Sequence, residues 1–151
     1  MAKPKIGCDC IGVGCGVFII NDKSETLLLK RSRKSKNEAG FWNKPGGAVE
    51  FGETIDDSIR REIREELDVE LGEIDFLSYT DHILPDENQH WVAFNFMAKI
   101  KSGTPKIMEP EKCDGLKWFK FDEVPEKLAM PTRESLLLMI KKYKEKYSKL
   151  K

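Results

Sequence analysis

The distribution of apolar residues near the start of the chain predicts a β-strand. Between residues 11 and 20, large apolar side chains alternate with a second set of positions that begins with Gly12, Gly14 and Gly16. A period of two is typical of a strand, because successive side chains point to opposite faces of the sheet. Glycine weakens a strand and usually marks a close approach to the backbone. Either a tightly packed helix or a bound ligand would explain this glycine face.

A different period, with apolar residues four positions apart, predicts a helix over residues 55–67. The apolar stripe consists of Ile55, Ile59, Ile63 and Leu67. This spacing places the four side chains on one helix face, which we expect to lie against a core. Thr54 precedes the stripe as an N-cap, and Asp57 three residues later completes a start that is similar to a capping box.

Further apolar segments and turn residues indicate the rest of the architecture. Strands are expected over residues 26–31, 41–43, 74–80, 91–100 and 116–121. We expect a turn at 45–47, a helical turn at 122–125 and a final helix over 134–147. Strands before and after one central helix, with a second helix at the end, predict an α/β sandwich in which a single domain spans residues 1–151.

The charge balance narrows the possible partners. The chain has 26 Lys plus Arg and 26 Asp plus Glu residues, so no net field attracts it to nucleic acid or to a membrane. No apolar run approaches the ~18 residues of a transmembrane helix, and the first residues lack the apolar core of a secretory signal. We therefore expect a cytoplasmic protein. The lysines within residues 141–151 complement the negative end of the last helix, and we rank nucleic-acid binding low.

Three glutamates on the predicted central helix suggest a metal site. Glu62, Glu65 and Glu66 stand at i, i+3 and i+4, so they share an arc of roughly 100° on one face. Like charges in this arrangement repel unless a cation lies among them. Carboxylates are hard oxygen ligands that suit Mg²⁺ or Mn²⁺ bridging to phosphates. A magnesium–phosphate substrate is the partner that this pattern favours.

The segment at 47–69 resembles the Nudix box, the signature of Nudix hydrolases. It carries Gly47, Glu53, Arg61, Glu62, Ile63, Glu65, Glu66 and Val69 at the spacing of that signature. The departure is Asp68, where the family usually has glycine. A residue after a helix often needs a left-handed conformation, which Asp tolerates better than most residues. The resemblance implies a Nudix-type α/β/α sandwich with a mixed central sheet.

The same resemblance implies roles for individual residues. Glu62, Glu65 and Glu66 would bind Mg²⁺, with Mn²⁺ as a substitute, and the carbonyl of Gly47 would be a further ligand. Glu65 and Glu66 would therefore also be catalytic. Two further residues, Glu53 and Arg61, would form an ion pair that supports the site. The implied reaction is attack of metal-activated water on a diphosphate linkage.

In this family, a glutamate outside the box often acts as a base or a ligand. Glu109 and Glu111 flank a proline in a segment before a late strand. Both are candidates, and we select Glu111 for the catalytic set.

Similarity beyond the box concerns the substrate. Segments 13–17, 45–53, 108–113 and 118–119 are similar to MutT-related nucleotide-triphosphate diphosphatases. This similarity implies hydrolysis of a nucleoside triphosphate to the monophosphate and pyrophosphate. Candidate substrate contacts are Gly14, Gly16, Arg31, His82 and Trp91, with Phe18 and His90 as further aromatic candidates.

Three alternatives stay open on the same fold. The first is an ADP-ribose or nucleotide-sugar pyrophosphatase with the same metal site. The second is a nucleotide-binding regulator without turnover, and the third is an RNA decapping enzyme. The expected partner is a small molecule with a nucleotide diphosphate linkage, bound by a monomer or a homodimer.

Overall fold

The first strand, β1 (Gly12–Ile20), is central in the sheet of the computed structural model, which describes residues 2–148. It pairs antiparallel with β2 (Glu25–Arg31). On its other side it pairs parallel with β6 (Gln89–Ser102), from Gly12 opposite Trp91 to Ile20 opposite Lys99. This parallel pairing inside an otherwise antiparallel arrangement makes the sheet mixed.

Four further strands extend the sheet to seven. They are β3 (Trp42–Asn43), β4 (Gly46–Ala48), β5 (Glu70–Leu84) and β7 (Cys113–Lys120). The main order is β3-β2-β1-β6-β5, with β4 paired to β1 and β7 paired to β2. The strand β4 is therefore held directly beside the glycine segment of β1, where Cys15 faces Gly47.

Two helices cover the two faces of the sheet. On one face, α1 (Ile55–Leu67) buries Ile59, Ile63 and Leu67 in a core with apolar residues of β1 and β2. On the other face, α2 (Met130–Tyr147) buries Met139 against Phe18, Ile20 and Met97. A short 3₁₀ helix, Pro85–Glu87, joins β5 to β6. The predicted α/β/α sandwich with a mixed sheet is confirmed.

The ends of α1 follow from local chemistry. Thr54 is the N-cap, and its side-chain oxygen accepts a hydrogen bond of 3.1 Å from the backbone N–H of Asp57. Asp68 ends the helix in the left-handed region, with φ 57° and ψ 44°, and its N–H donates to the carbonyl of Arg64. The predicted bounds, the cap and the left-handed residue are all present.

Several predicted elements need correction. The turn expected at 45–47 is instead strand β4, because glycine lets this segment lie against β1: a Cβ on Gly46 would overlap the carbonyl of Cys15. The ladder of β5 with β6 runs beyond the predicted strands at both ends.

The predictions for the last third of the chain were also imprecise. The helix α2 begins four residues early, with Pro131 in its first turn, where a missing N–H costs nothing. Residues 122–125 contain a turn and a bend but no helix. Within residues 2–148, no helix has both the length and the apolar character needed to cross a bilayer.

Candidate active site

A cavity of about 390 Å³ lies between α1, β4 and the segment that precedes β7. We call it the acidic cavity, because Glu62, Glu66 and Glu109 line it. Glu62 and Glu66 reach the cavity together because residues four apart lie on the same helix face. Both residues border the buried apolar stripe of α1, so their side chains point toward β4 and away from solvent.

The carboxylate of Glu66 is deeply placed in this cavity. One of its oxygens accepts a hydrogen bond of 3.0 Å from the backbone N–H of Gly46. Burial and the neighbouring charge of Glu62 raise the pKa of Glu66 to about 8. Burial likewise raises the pKa of Glu62, although Arg61 opposes the shift. A cation between these two carboxylates would compensate both effects.

Gly47 allows the carboxylate of Glu62 to lie directly over the backbone of β4. A Cβ at this position would overlap the Glu62 carboxylate. The carbonyl of Gly47 accepts a weak hydrogen bond of 3.6 Å from the thiol of Cys15. Two carboxylates and a nearby carbonyl are donors that fit Mg²⁺, which usually keeps water or phosphate oxygens in its other positions.

Arg61 ties α1 to the loop before it. Its guanidinium donates two hydrogen bonds to the carboxylate of Glu53, at 2.7 and 2.9 Å, and one of 3.2 Å to the carbonyl of Ala48. The hydrogen bonds from Arg61 to the carboxylate are the main reason that the pKa of Glu53 is lowered to about 2. The predicted ion pair is present and is bidentate. Together with the hydrogen bond to Ala48, it holds α1 against β4.

Glu65 lies apart from the other two glutamates of the helix. Its side chain is 52% exposed, bonds to Arg61 at 3.2 Å and does not line the acidic cavity. Across residues 2–148, no group of three His, Cys, Asp or Glu side chains is close enough to enclose a metal ion. The protein thus offers an open set of donors in which Glu65 stands at the rim.

Glu109 and Glu111 are the two candidates for the glutamate outside the box. The structure places Glu109 in the acidic cavity. The carbonyl of Glu109 accepts a 3.0 Å hydrogen bond from the N–H of Lys112, closing a tight turn. This turn directs Glu109 inward, where it forms an ion pair of 3.2 Å with Lys112. Glu111, which we selected from the sequence, lies exposed at the tip of the turn and does not line the cavity.

A second cavity, of about 210 Å³, lies on the opposite face of β1, over Gly14 and Gly16. We call it the glycine-face cavity. All five candidate substrate contacts line it, namely Gly14, Gly16, Arg31, His82 and Trp91. The indole of Trp91 covers Gly12 so closely that a Cβ there would overlap its ring. His82 is held by Glu38 at 3.0 Å.

Sequence reasoning missed several polar residues of this cavity. Lys44 and Asn95 both line it, although only 4% and 0% of their respective surfaces are exposed. Asn95 could have been noticed, because it interrupts an apolar strand. Conversely, Phe18 is buried in the core under α2 and does not line either cavity. His90, the other aromatic candidate, also lies outside both cavities.

The two cavities adjoin each other across β4. Six residues line both cavities: Arg31, Asn43, Lys44, Gly46, Gly47 and Ala48. The site therefore consists of a region with carboxylates next to a region with amides, aromatic rings and a lysine. A ligand that occupied both cavities would pass over the edge of the glycine segment.

The sequence and the fold of this chain match those of known proteins. The model of the NUDIX domain matches residues 11–139. The chain belongs to the Nudix family. A crystal structure of a MutT NUDIX hydrolase from Burkholderia pseudomallei is 38% identical, covers 84% of this chain and 96% of its own, and superimposes with a TM-score of 0.79. Membership in a family of hydrolases that act on phosphoric anhydrides is thus confirmed, and members of this family generally use a divalent metal.

Curated relatives are more distant and much longer. The NAD-capped RNA hydrolase NudC of Stutzerimonas stutzeri is 27% identical over 80% of this chain and 40% of its own length. The 8-oxo-dGDP phosphatase NUDT18 of Danio rerio is 30% identical over 60% of this chain and 26% of its own. The chain spans 26–40% of the length of the curated relatives it matches.

Proposed function

We propose that this Nudix chain is a Mg²⁺-dependent pyrophosphohydrolase that converts a nucleoside triphosphate to the monophosphate and pyrophosphate. We further propose that residues 1–151 act as one domain. The observation that supports the reaction is the contact between the acidic cavity and the glycine-face cavity. A nucleotide has the matching division, with anionic phosphates at one end and a planar base at the other.

In this proposal, the residues of the acidic cavity hold the metal and the phosphates. Glu62, Glu66 and the carbonyl of Gly47 would bind Mg²⁺, with Glu65 added from the rim. Mn²⁺ has the same preference for oxygen and would substitute. Bound Mg²⁺ would neutralise charge on the phosphates and lower the pKa of an attacking water. Arg61 and Glu53 support the site by fixing the position of α1.

Glu109 replaces Glu111 as the proposed general base. It lines the acidic cavity, and Lys112 orients it through the 3.2 Å ion pair. Its carboxylate would take a proton from the water as the oxygen of that water bonds to phosphorus. The bond from that phosphorus to its bridging oxygen would then break. The departing product, which is pyrophosphate or the nucleoside monophosphate according to which phosphorus is attacked, would keep the electron pair on that oxygen.

Arg31 supplies positive charge between the two cavities. Its Nε donates a 2.9 Å hydrogen bond to the carbonyl of Asn37, which holds the side chain in place. Burial lowers the pKa of Arg31, with Glu38 and Glu66 opposing the shift. A buried guanidinium at this point would bind a phosphate next to the sugar.

The test is a panel of dNTPs, NTPs, ADP-ribose and dinucleoside polyphosphates with Mg²⁺. We expect pyrophosphate and the monophosphate from the triphosphates. The matched control is the same panel with excess chelator, which should remove turnover. Absence of turnover on every compound despite binding would reject the proposal in favour of a nucleotide-binding regulator.

A second candidate is a pyrophosphatase for ADP-ribose, a nucleotide sugar or another nucleotide-linked diphosphate. One observation favours it: the curated relatives include a protein named for hydrolysis of NAD-capped RNA. The same panel separates the two functions, because these substrates release two monophosphates without pyrophosphate. Turnover of capped RNA would identify a third function.

A further inference from the structure

Lys44 is a buried ammonium in the glycine-face cavity. Its side chain lies along β1, with Cε 3.0 Å from the point that a Cβ on Gly16 would occupy. The ammonium is 5.1 Å from the centre of the Phe18 ring. Burial lowers the pKa of Lys44 to about 7. Within residues 2–148, no carboxylate opposes this shift. A lysine that loses its water without an ion pair destabilises a fold, unless a ligand supplies the missing acceptor.

Asn95 provides the opposite kind of group beside the same glycine. Asn95 and Gly16 are directly opposite each other in the pairing of β6 with β1, so Asn95 projects from the face on which Lys44 lies. Its amide nitrogen donates to Thr80 at 2.9 Å and to Ser78 at 3.2 Å. These bonds orient the amide, and its carbonyl oxygen has no hydrogen-bond partner within residues 2–148.

We propose that Lys44 and Asn95 select a nucleobase with a lactam edge, a carbonyl next to a ring N–H, as in hypoxanthine, guanine and uracil. The carbonyl of the base accepts from the ammonium of Lys44. The adjacent ring N–H donates to the side-chain oxygen of Asn95. The oxygen of Asn95 then gains the partner that it lacks within residues 2–148, and the ammonium of Lys44 gains a hydrogen-bond acceptor.

The amino bases adenine and cytosine fit this pair of groups poorly. Where the lactam has a carbonyl, they present an amino group whose hydrogens face the ammonium. Where the lactam has N–H, they present a nitrogen lone pair that faces the amide oxygen. An amino base that is turned over would direct its ring nitrogen at the ammonium and its amino group at the amide oxygen. In that orientation the ring nitrogen offers one lone pair to an ammonium with three N–H bonds, whereas the carbonyl oxygen of a lactam offers two. Unpaired buried polar groups are costly, so the difference should be large.

The inference rests on the proposed function for its hydrolytic test. Two pairs of substrates isolate the edge of the base: ITP against ATP, and UTP against CTP. We expect kcat/KM to favour ITP over ATP and UTP over CTP, each by at least about tenfold. Equal kcat/KM within both pairs would overturn the inference while leaving the hydrolase proposal intact.

Variants assign the preference to the two residues. Lys44→Met keeps the length of the side chain, and Asn95→Leu keeps its approximate shape. In both, the ratios should fall to within about threefold of unity. The control is Lys117→Met, because Lys117 also lies 5.1 Å from a phenylalanine ring but lines neither cavity. A uniform loss on all four triphosphates in Lys44→Met would instead assign its ammonium to the phosphates and overturn the inference.

A binding measurement separates this inference from the proposed reaction. Calorimetric titration of the unmodified protein with IMP and with AMP, in excess chelator, requires neither metal nor turnover. We expect IMP to bind at least about tenfold more tightly than AMP. Equal affinities would overturn the inference. A preference for IMP in a protein that hydrolyses no triphosphate would reject the reaction and sustain the base selection.

Discussion

The acidic cavity and the glycine-face cavity share a wall but differ in how their residues come together. Glu62 and Glu66 of the acidic cavity belong to one helix and are four positions apart. In the glycine-face cavity, Gly16, Lys44 and Asn95 come from different strands and from the link between two strands. The acidic pair needs only a helix in order to form, whereas the second set depends on the pairing of β1 with β6 and on the course of the chain around β4.

This difference has a functional meaning. A helix imposes its spacing wherever it forms, so a set of metal ligands on one face is robust. In the proposed function, contacts to the base would depend on several segments, so they could change without disturbing the ligands of the metal. We therefore expect substitutions in the acidic cavity to reduce turnover of every substrate, and substitutions in the glycine-face cavity to alter substrate preference.

The largest effect should follow from Glu66→Gln. The amide keeps the shape of the side chain and removes the charge that would bind the metal, so kcat/KM should fall about 10³-fold on all substrates. Steady-state kinetics with Mg²⁺ measures this loss. Glu134→Gln, on the exposed side of α2, is the control. If the loss were confined to some bases, the separation between the two cavities would be wrong.

A smaller effect is expected at the proposed base. Glu109→Gln should lower kcat about 10²-fold, because a general base typically contributes 10²–10⁴-fold. Glu111→Gln is the natural control, since Glu111 is exposed two residues away in the same turn. It should change kcat less than about threefold. The opposite order of the two variants would return the role of base to Glu111.

The connection between the cavities can be tested at Arg31. Arg31→Ala should raise KM about tenfold for every triphosphate, since loss of a charged hydrogen bond costs about 1.5–3 kcal/mol. Arg33→Ala should leave KM within about twofold, because the Arg33 side chain is 92% exposed and its ion pair with Asp114 is long, at 3.8 Å. Equal effects of the two substitutions would show that the loop acts through its general charge.

The smallest effect concerns stability. Burial lowers the pKa of Lys44 to about 7, so the unfolded chain binds this proton more tightly than the folded protein does. The penalty is complete below pH 7 and disappears as the pH rises toward the ordinary lysine value of about 10.4. Lys44→Met should therefore increase the free energy of unfolding by at least about 1 kcal/mol at pH 6.

Urea denaturation of Lys44→Met and the unmodified protein at several pH values measures this difference. The gap between the two proteins should shrink between pH 7 and pH 10. Lys117→Met should show no comparable gap, because Lys117 is exposed. A destabilised Lys44→Met at pH 6 would mean that the ammonium has a partner inside the fold.

Much of the fold was predictable because its signals are local. Four apolar residues at helical spacing, with Thr54 before them, were enough to predict the bounds of α1. The strand β4 was not predicted, because Pro and Gly usually indicate a turn. Here, the absence of side chains lets Gly46 lie against Cys15 instead. Local preference and tertiary contact favour different structures at this position, and the tertiary contact prevails.

The candidate site divides in the same way. The pairing of Arg61 with Glu53 followed from the family spacing, and the glycine face of β1 indicated a close approach. The choice between Glu109 and Glu111 was not local information, because it depends on how their segment attaches to α1, where the N–H of Met108 donates to the carbonyl of Glu66. Nor could the sequence show that Lys44 lies buried beside Asn95.

The sequence by itself determined the helix, its face of carboxylates and the glycine face of β1, because each of these depends on spacing within one element. Only the tertiary structure decided which glutamate outside the helix enters the acidic cavity and which polar groups line the glycine-face cavity. The physical reason is that burial and hydrogen-bond partners are properties of neighbours in space. Gly16 and Asn95 become neighbours only when β1 pairs with β6.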